Sequence, residues 1–144
     1  MNEPIPIRTS AQYALANFFT NMPNITRIAD LVLDVTSEWC YMQTFANLQN
    51  ITETPKFTYD IFLNSYSTYE FYLAFMNCTN LKIVQDLPNE YIPYGCFSHC
   101  FVGCTSLEQM PHMPSTDLEI ECYEGMFKRS GIRYLTTLPA RNVP

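Results

Sequence analysis

Phe75-Met-Asn-Cys-Thr-Asn-Leu81 and Phe101-Val-Gly-Cys-Thr-Ser-Leu107 are two versions of one heptapeptide, set 26 residues apart. Moving outward from them, phenylalanine recurs at Phe19, Phe45, Phe75, Phe101 and Phe127, with spacings of 26, 30, 26 and 26. Six residues after the first four lie Ile25, Ile51, Leu81 and Leu107, and Ile132 follows the fifth after one residue fewer. Four residues before each lie Leu15, Tyr41, Phe71, Phe97 and Tyr123. Apolar columns held in register over several copies are the mark of a repeat array, in which one copy cannot bury its own face. The wider gap predicts an insertion between Phe57 and Tyr69, placed in a surface loop.

Within a copy, Leu118, Cys122, Met126 and Phe127 follow the spacing of one face of a short helix. Ser115, Thr116 and Asp117 precede it as candidate N-caps, and Pro93 suits a first helical turn in the copy before. Asn21, Asn47, Asn77 and Gly103 share a column, and both residue types tolerate left-handed backbone, so the column is expected to end each helix. The segment that follows, such as Leu107 to Met110, has room for a brief strand before proline stops it. A strand and a helix in about 26 residues fall in the leucine-rich-repeat range. The expected fold is therefore an α/β repeat solenoid with about five 26-residue repeats. Short parallel strands would line one face, and short helices or turns the other. Residues 1–9 are expected to be an extended N-terminal segment, and 10–144 a single solenoid.

The two heptapeptides resemble the F-x-G/N-C-T-S/N-L signature of the BspA-type leucine-rich-repeat family. Met110-Pro-His-Met-Pro114 and Cys122-Tyr-Glu-Gly-Met-Phe127 resemble a variant of the same pattern, and the likeness runs from about Phe71 to Pro139. The first two copies keep the spacing and lack the Cys-Thr pair. The resemblance implies a leucine-rich-repeat fold without catalytic activity, found in surface adhesins of anaerobic bacteria and in proteins of their phages. It carries no catalytic or ligand residues to this chain.

Composition narrows the function classes. The chain of 144 residues is 47% apolar and 15% charged, which suits a packed domain and not wholesale disorder. No apolar run reaches the ~18 residues of a membrane span. The start, Met-Asn-Glu-Pro-Ile-Pro-Ile-Arg, lacks the basic and then apolar pattern of a signal peptide, so the virion or the host cytoplasm is expected over secretion. A formal charge of −6 argues against nucleic acid as the partner.

Six cysteines and two histidines invite a metal or a thiol catalyst, with Cys96, His99, Cys100 and Cys104 the densest group. However, Cys40, Cys96 and Cys122 share a column with Ala14, and Cys78 and Cys104 share one with Met22 and Leu48. Columns that accept Ala, Met or Leu are packing positions, and free cysteine behaves as a small buried hydrophobe. We therefore expect no catalytic residue, no metal and no cofactor. Disulfides along the Cys96 and Cys122 column are not expected either, because helices in adjacent layers lie about 8–10 Å apart. Asn24, Asn50 and Asn77 match the glycan-acceptor pattern, but Asn24 and Asn50 share a column with Asn80 and Ser106, and these asparagines are expected to bond turn backbone rather than carry glycans.

Charge is uneven along the chain. All fourteen acids lie before residue 127, whereas Lys128, Arg129, Arg133 and Arg141 follow with no acid among them. Val143 falls in the column of Ile92 and Leu118, so a sixth copy is expected to begin and stop, leaving the strand at 133–138 with an open edge. Lys128, Arg129, Arg133, Tyr134 and Arg141 are thus the expected partner-binding residues, at the C-terminal edge, with another protein chain or subunit as partner. The expected function is a non-catalytic interaction or structural docking module, such as a phage virion accessory protein. The alternative is an adhesin module that binds host protein or glycan.

Overall fold

A computed structural model describes residues 7–8, 12–35, 37–59, 68–87 and 91–139. Three strands are present: β1 (Ile7–Arg8), β2 (Leu31–Val35) and β3 (Phe57–Tyr59). They form one parallel sheet in the order β1-β2-β3, with Leu31 opposite Phe57 and Ile7 opposite Leu33. Beyond β3 the strand side is reduced to isolated parallel bridges, Glu53 to Ile83, Ile92 to Leu118 and Gln109 to Tyr134.

The expected α/β solenoid of leucine-rich-repeat type does not form. No helix occurs among the described residues, and strand is confined to the three short segments above. The segments read as helices are instead ribbons of consecutive β-turns at residues 13–21, 39–47, 69–77, 95–103 and 121–129. In the first, the amides of Ala16, Phe18 and Thr20 donate to the carbonyls of Tyr13, Leu15 and Asn17, three residues back. A helix would close four residues back. Every fourth residue has left-handed backbone: Tyr13, Asn17 and Asn21 in the first ribbon, Gly95, His99 and Gly103 in the fourth. The Asn21/Asn47/Asn77/Gly103 column is indeed left-handed, but it ends a turn ribbon and caps no helix. Ser115 likewise closes a local turn, donating from Oγ to the Asp117 carbonyl, where an N-cap was expected.

The remaining amides of each ribbon point the other way, to the next ribbon. Tyr13, Leu15, Asn17, Phe19 and Asn21 donate to the carbonyls of Glu38, Cys40, Met42, Thr44 and Ala46. The same five-rung ladder joins each later pair, ending with Gly95, Phe97, His99, Phe101 and Gly103 donating to Ile120, Cys122, Glu124, Met126 and Lys128. Alternate amides thus serve the turn and the neighbouring layer, and the ribbon satisfies its backbone as a helix does within itself.

Ring packing explains why turns replace helices. The Phe19, Phe45, Phe75, Phe101 and Phe127 rings stack in one column with centroids 5.8, 5.1, 5.4 and 5.9 Å apart. Tyr41, Phe71 and Phe97 stack beside them at 4.8 and 5.3 Å. Such spacing matches hydrogen-bonded strands, about 4.8 Å apart, and not helices, which pack at about 8–10 Å. Each ribbon is also shorter than the ~12 residues a helix needs to hold itself together. The left-handed residues cost about 1–2 kcal/mol each where they are not glycine, asparagine least. The cross-layer rungs and ring columns fix them in place.

The core lies between the turn ribbons and the strand side. Phe45, Phe75 and Phe101 are buried, as are Ile51, Leu81 and Leu107, while Phe19 and Phe127 pack against this core from the two end layers. Of segment 1–9, expected to be extended, Ile7–Arg8 is strand and the remainder lies outside the described residues, as do residues 60–67 of the insertion, Arg141 and Val143.

Candidate functional site

The cysteines are the first chemistry to place. All six are buried. Burial pushes the Cys122 thiol up to about 11 and that of Cys78 up to about 12, and raises Cys96, Cys100 and Cys104 as well. A thiol so shifted is protonated at neutral pH and is a poor nucleophile. Protonation has a use here. Cys78 Sγ donates to the Phe45 carbonyl at 3.2 Å and Cys104 Sγ to that of Phe75 at 3.1 Å, each tying a layer to the one before. No group of three metal-ligating side chains occurs among the described residues. The separation argument against disulfides fails, since turn ribbons approach more closely than helices do.

The histidines take structural surroundings. His99 Nδ1 lies 2.9 Å from Ser98 Oγ, and its ring packs against Tyr72. Gly125, left-handed, leaves the space in which that imidazole sits: a Cβ there would meet His99 Nε2 at 2.8 Å. His112 Nδ1 lies 3.8 Å from Asp86 Oδ2, both exposed. Asn50 Nδ2 donates to the Pro23 carbonyl and Asn80 Nδ2 to the Gln49 carbonyl, both at 2.6 Å. Those side chains bridge layers at exposed turns.

An aromatic flank that sequence reasoning passed over runs along the outside of the ribbons. Tyr13, Trp39 and Tyr69 stack at 6.2 and 4.3 Å, and Tyr72 meets both Trp39 and Tyr69 edge-on. The next residue in this column is Gly95, whose missing Cβ admits the Tyr69 ring, since a Cβ would lie 2.5 Å from it. The ring therefore spans a layer, and Tyr69 Oη donates to Glu121 Oε2 at 2.8 Å. Tyr94 Oη donates to the same oxygen at 2.9 Å. Glu38 accepts from Gln12 Nε2 and Thr68 Oγ1 at the other end of the flank. A glycine in a column of Tyr13, Trp39 and Tyr69 was the signal for this arrangement.

The C-terminal candidates gather on the last layer. Lys128 and Arg129 stand exposed at the end of ribbon 121–129, Arg129 with left-handed backbone. Arg133 and Tyr134 follow on the strand side, where Arg133 Nη2 lies 4.0 Å from Glu108 Oε1. Both partners are well exposed, so this ion pair adds little stability. Tyr134, Leu135 and Leu138 are 78%, 85% and 46% exposed. More telling is the backbone. Met126 and Lys128 donate within the ribbon, to Tyr123 and Gly125, whereas the amides of Glu121, Tyr123, Gly125, Phe127 and Arg129 have no backbone carbonyl acceptor among the described residues. These five occupy the positions that feed the next layer elsewhere. No side-chain pattern announces them; they follow from the alternation of the turns.

At the opposite end, the first ribbon leaves the carbonyls of Gln12, Ala14, Ala16, Phe18 and Thr20 without a donor among the described residues. Phe18, Tyr13 and Met22 are 60%, 47% and 43% exposed there. The described part of the chain thus has one donor end and one acceptor end. No family profile, no curated protein and no solved structure matches the chain.

Proposed function

We propose that the chain is a non-catalytic protein-interaction or structural docking module, of the kind a virion accessory protein provides, and that it docks through its C-terminal layer. The observation that carries this reading is the row of five amides at residues 121–129 that have no backbone acceptor among the described residues, bordered by exposed Lys128, Arg129, Arg133 and Tyr134. Open rows of this kind favour pairing with another chain, and the basic rim disfavours a basic partner surface. Burial of the cysteine thiols keeps them from acting as surface nucleophiles, which supports the reading. A photo-cross-linker placed at Lys128 in the native assembly tests it: cross-links should run from this layer to another chain. Cross-links from a second probe at Glu108 on the strand side, with none from Lys128, would refute it.

The aromatic flank favours a second reading, an adhesin module for host protein or glycan. Tyr13, Trp39, Tyr69 and Tyr72, with the Glu38 and Glu121 carboxylates, offer the apolar rings and hydrogen-bond acceptors that sugar recognition uses. Trp39 is the chain's one tryptophan, so sugar binding on this flank would change its fluorescence.

A further inference from the structure

The geometry points to a specific occupant of the C-terminal layer: the first layer of a second copy of this chain, stacked head to tail. This inference rests on the docking reading above and names the partner. Its ground is complementarity between the two ends. Among the described residues, five amides at 121, 123, 125, 127 and 129 find no backbone acceptor, and five carbonyls at 12, 14, 16, 18 and 20 no backbone donor. Inside the chain, the same positions are joined one to one across every layer interface, at 2.7 to 3.3 Å. A second copy advanced by one layer repeats that ladder between the described ribbons.

The side chains agree with this register. Phe127 ends the ring column that Phe19 begins, so stacking the two ends continues it at the 5–6 Å spacing found within. Exposed Phe18 and Tyr13 then gain a covering layer. Ribbon 12–21, Gln-Tyr-Ala-Leu-Ala-Asn-Phe-Phe-Thr-Asn, holds no charged residue, so nothing in it opposes Lys128, Arg129, Glu121 or Glu124. On the strand side, Ile7 pairs with Leu33, six residues beyond the Arg27 column to which Gln109 and Tyr134 belong. Ile7–Arg8 of an incoming copy therefore falls past residues 132–139 and does not overlie them.

The alternative pairing, two C-terminal layers face to face about a two-fold axis, is excluded by polarity. It sets amide against amide, because residue i meets residue j and j meets i while the outward backbone groups of this ribbon are all donors. A heterologous contact of this type leaves one donor end and one acceptor end free, so assembly continues beyond two copies into an open row.

Thr20 and Lys128 occupy the same column, so they become stacked neighbours at the contact; Lys128 is exposed, and Thr20 Oγ1 donates to the Ala46 carbonyl of its own chain. Sedimentation velocity of the purified full chain over a wide concentration range is the test. Wild type should grow with concentration into species larger than a dimer. Thr20→Lys, which sets two ammonium groups opposite, should weaken association roughly tenfold or more, and Lys128→Glu added to it should restore assembly. Circular dichroism of each variant checks that the fold is kept. A chain that stays monomeric throughout, or dimers that grow no further, would overturn the inference. Cross-links from Lys128 to a different protein, with no self-association, would overturn it too and leave the docking reading standing. Cross-links from Lys128 to no chain at all would end both.

Discussion

The two flanks of this molecule are built from the same repeat spacing and differ in how much holds them. On the turn flank, each pair of neighbouring ribbons shares five backbone rungs, and ring columns run unbroken from Phe19 to Phe127. On the strand flank, a three-stranded sheet gives way to single bridges, and Ile83 and Leu135 lie exposed. The difference shows where the order of the stack originates. Layers are set about 5 Å apart by stacked aromatic rings and by ladders between turns, and the strand side follows that spacing without enforcing it.

Deleting a ring should separate the flanks most sharply. Phe101→Ala removes a fully buried side chain from the middle of a column and should cost about 3–5 kcal/mol in chemical denaturation. Ile83→Ala, on the strand flank and 54% exposed, should stay within about 1 kcal/mol. Equal costs would mean that the two sides share the load.

A smaller effect probes the left-handed columns. Gly95 has φ +63 and lies under the Tyr69 ring. Gly95→Ala should cost about 1–3 kcal/mol by forcing a side chain into that backbone conformation. It should also push Tyr69 away from Glu121, which NMR of the tyrosine rings would register. At a helical position the same change would stabilise by about 1 kcal/mol, so the sign of the effect distinguishes a ribbon from a helix.

Much of the stacking was legible in side chains. Phe19, Phe45, Phe75, Phe101 and Phe127 could be set in one column because identical rings at near-constant spacing have few other uses, and they do stack. The backbone between them was not legible. Leu118, Cys122, Met126 and Phe127 fit a helical face, but a ribbon that turns back on itself every four residues puts positions i and i+4 on one side as well. Hydrophobic periodicity therefore cannot tell the two apart. Asparagine and glycine at positions 21, 47, 77 and 103 marked the last left-handed column. The first two columns hold Trp39, Tyr69, Leu73 and Glu121, residue types that give no sign of such backbone. Of the candidate site, the basic side chains could be read directly. The open amides beside them could not, because their direction depends on turn phase and not on residue type.

Amide hydrogen exchange, followed by NMR at high dilution, tests the turn-ribbon architecture most directly. In ribbon 95–103 every amide of Cys96 to Gly103 should be protected, half by turns and half by the next layer. In ribbon 121–129 protection should alternate: Glu124, Met126 and Lys128 slow, Tyr123, Gly125 and Phe127 fast. Uniform protection from Tyr123 to Arg129 would indicate a helix and contradict the account.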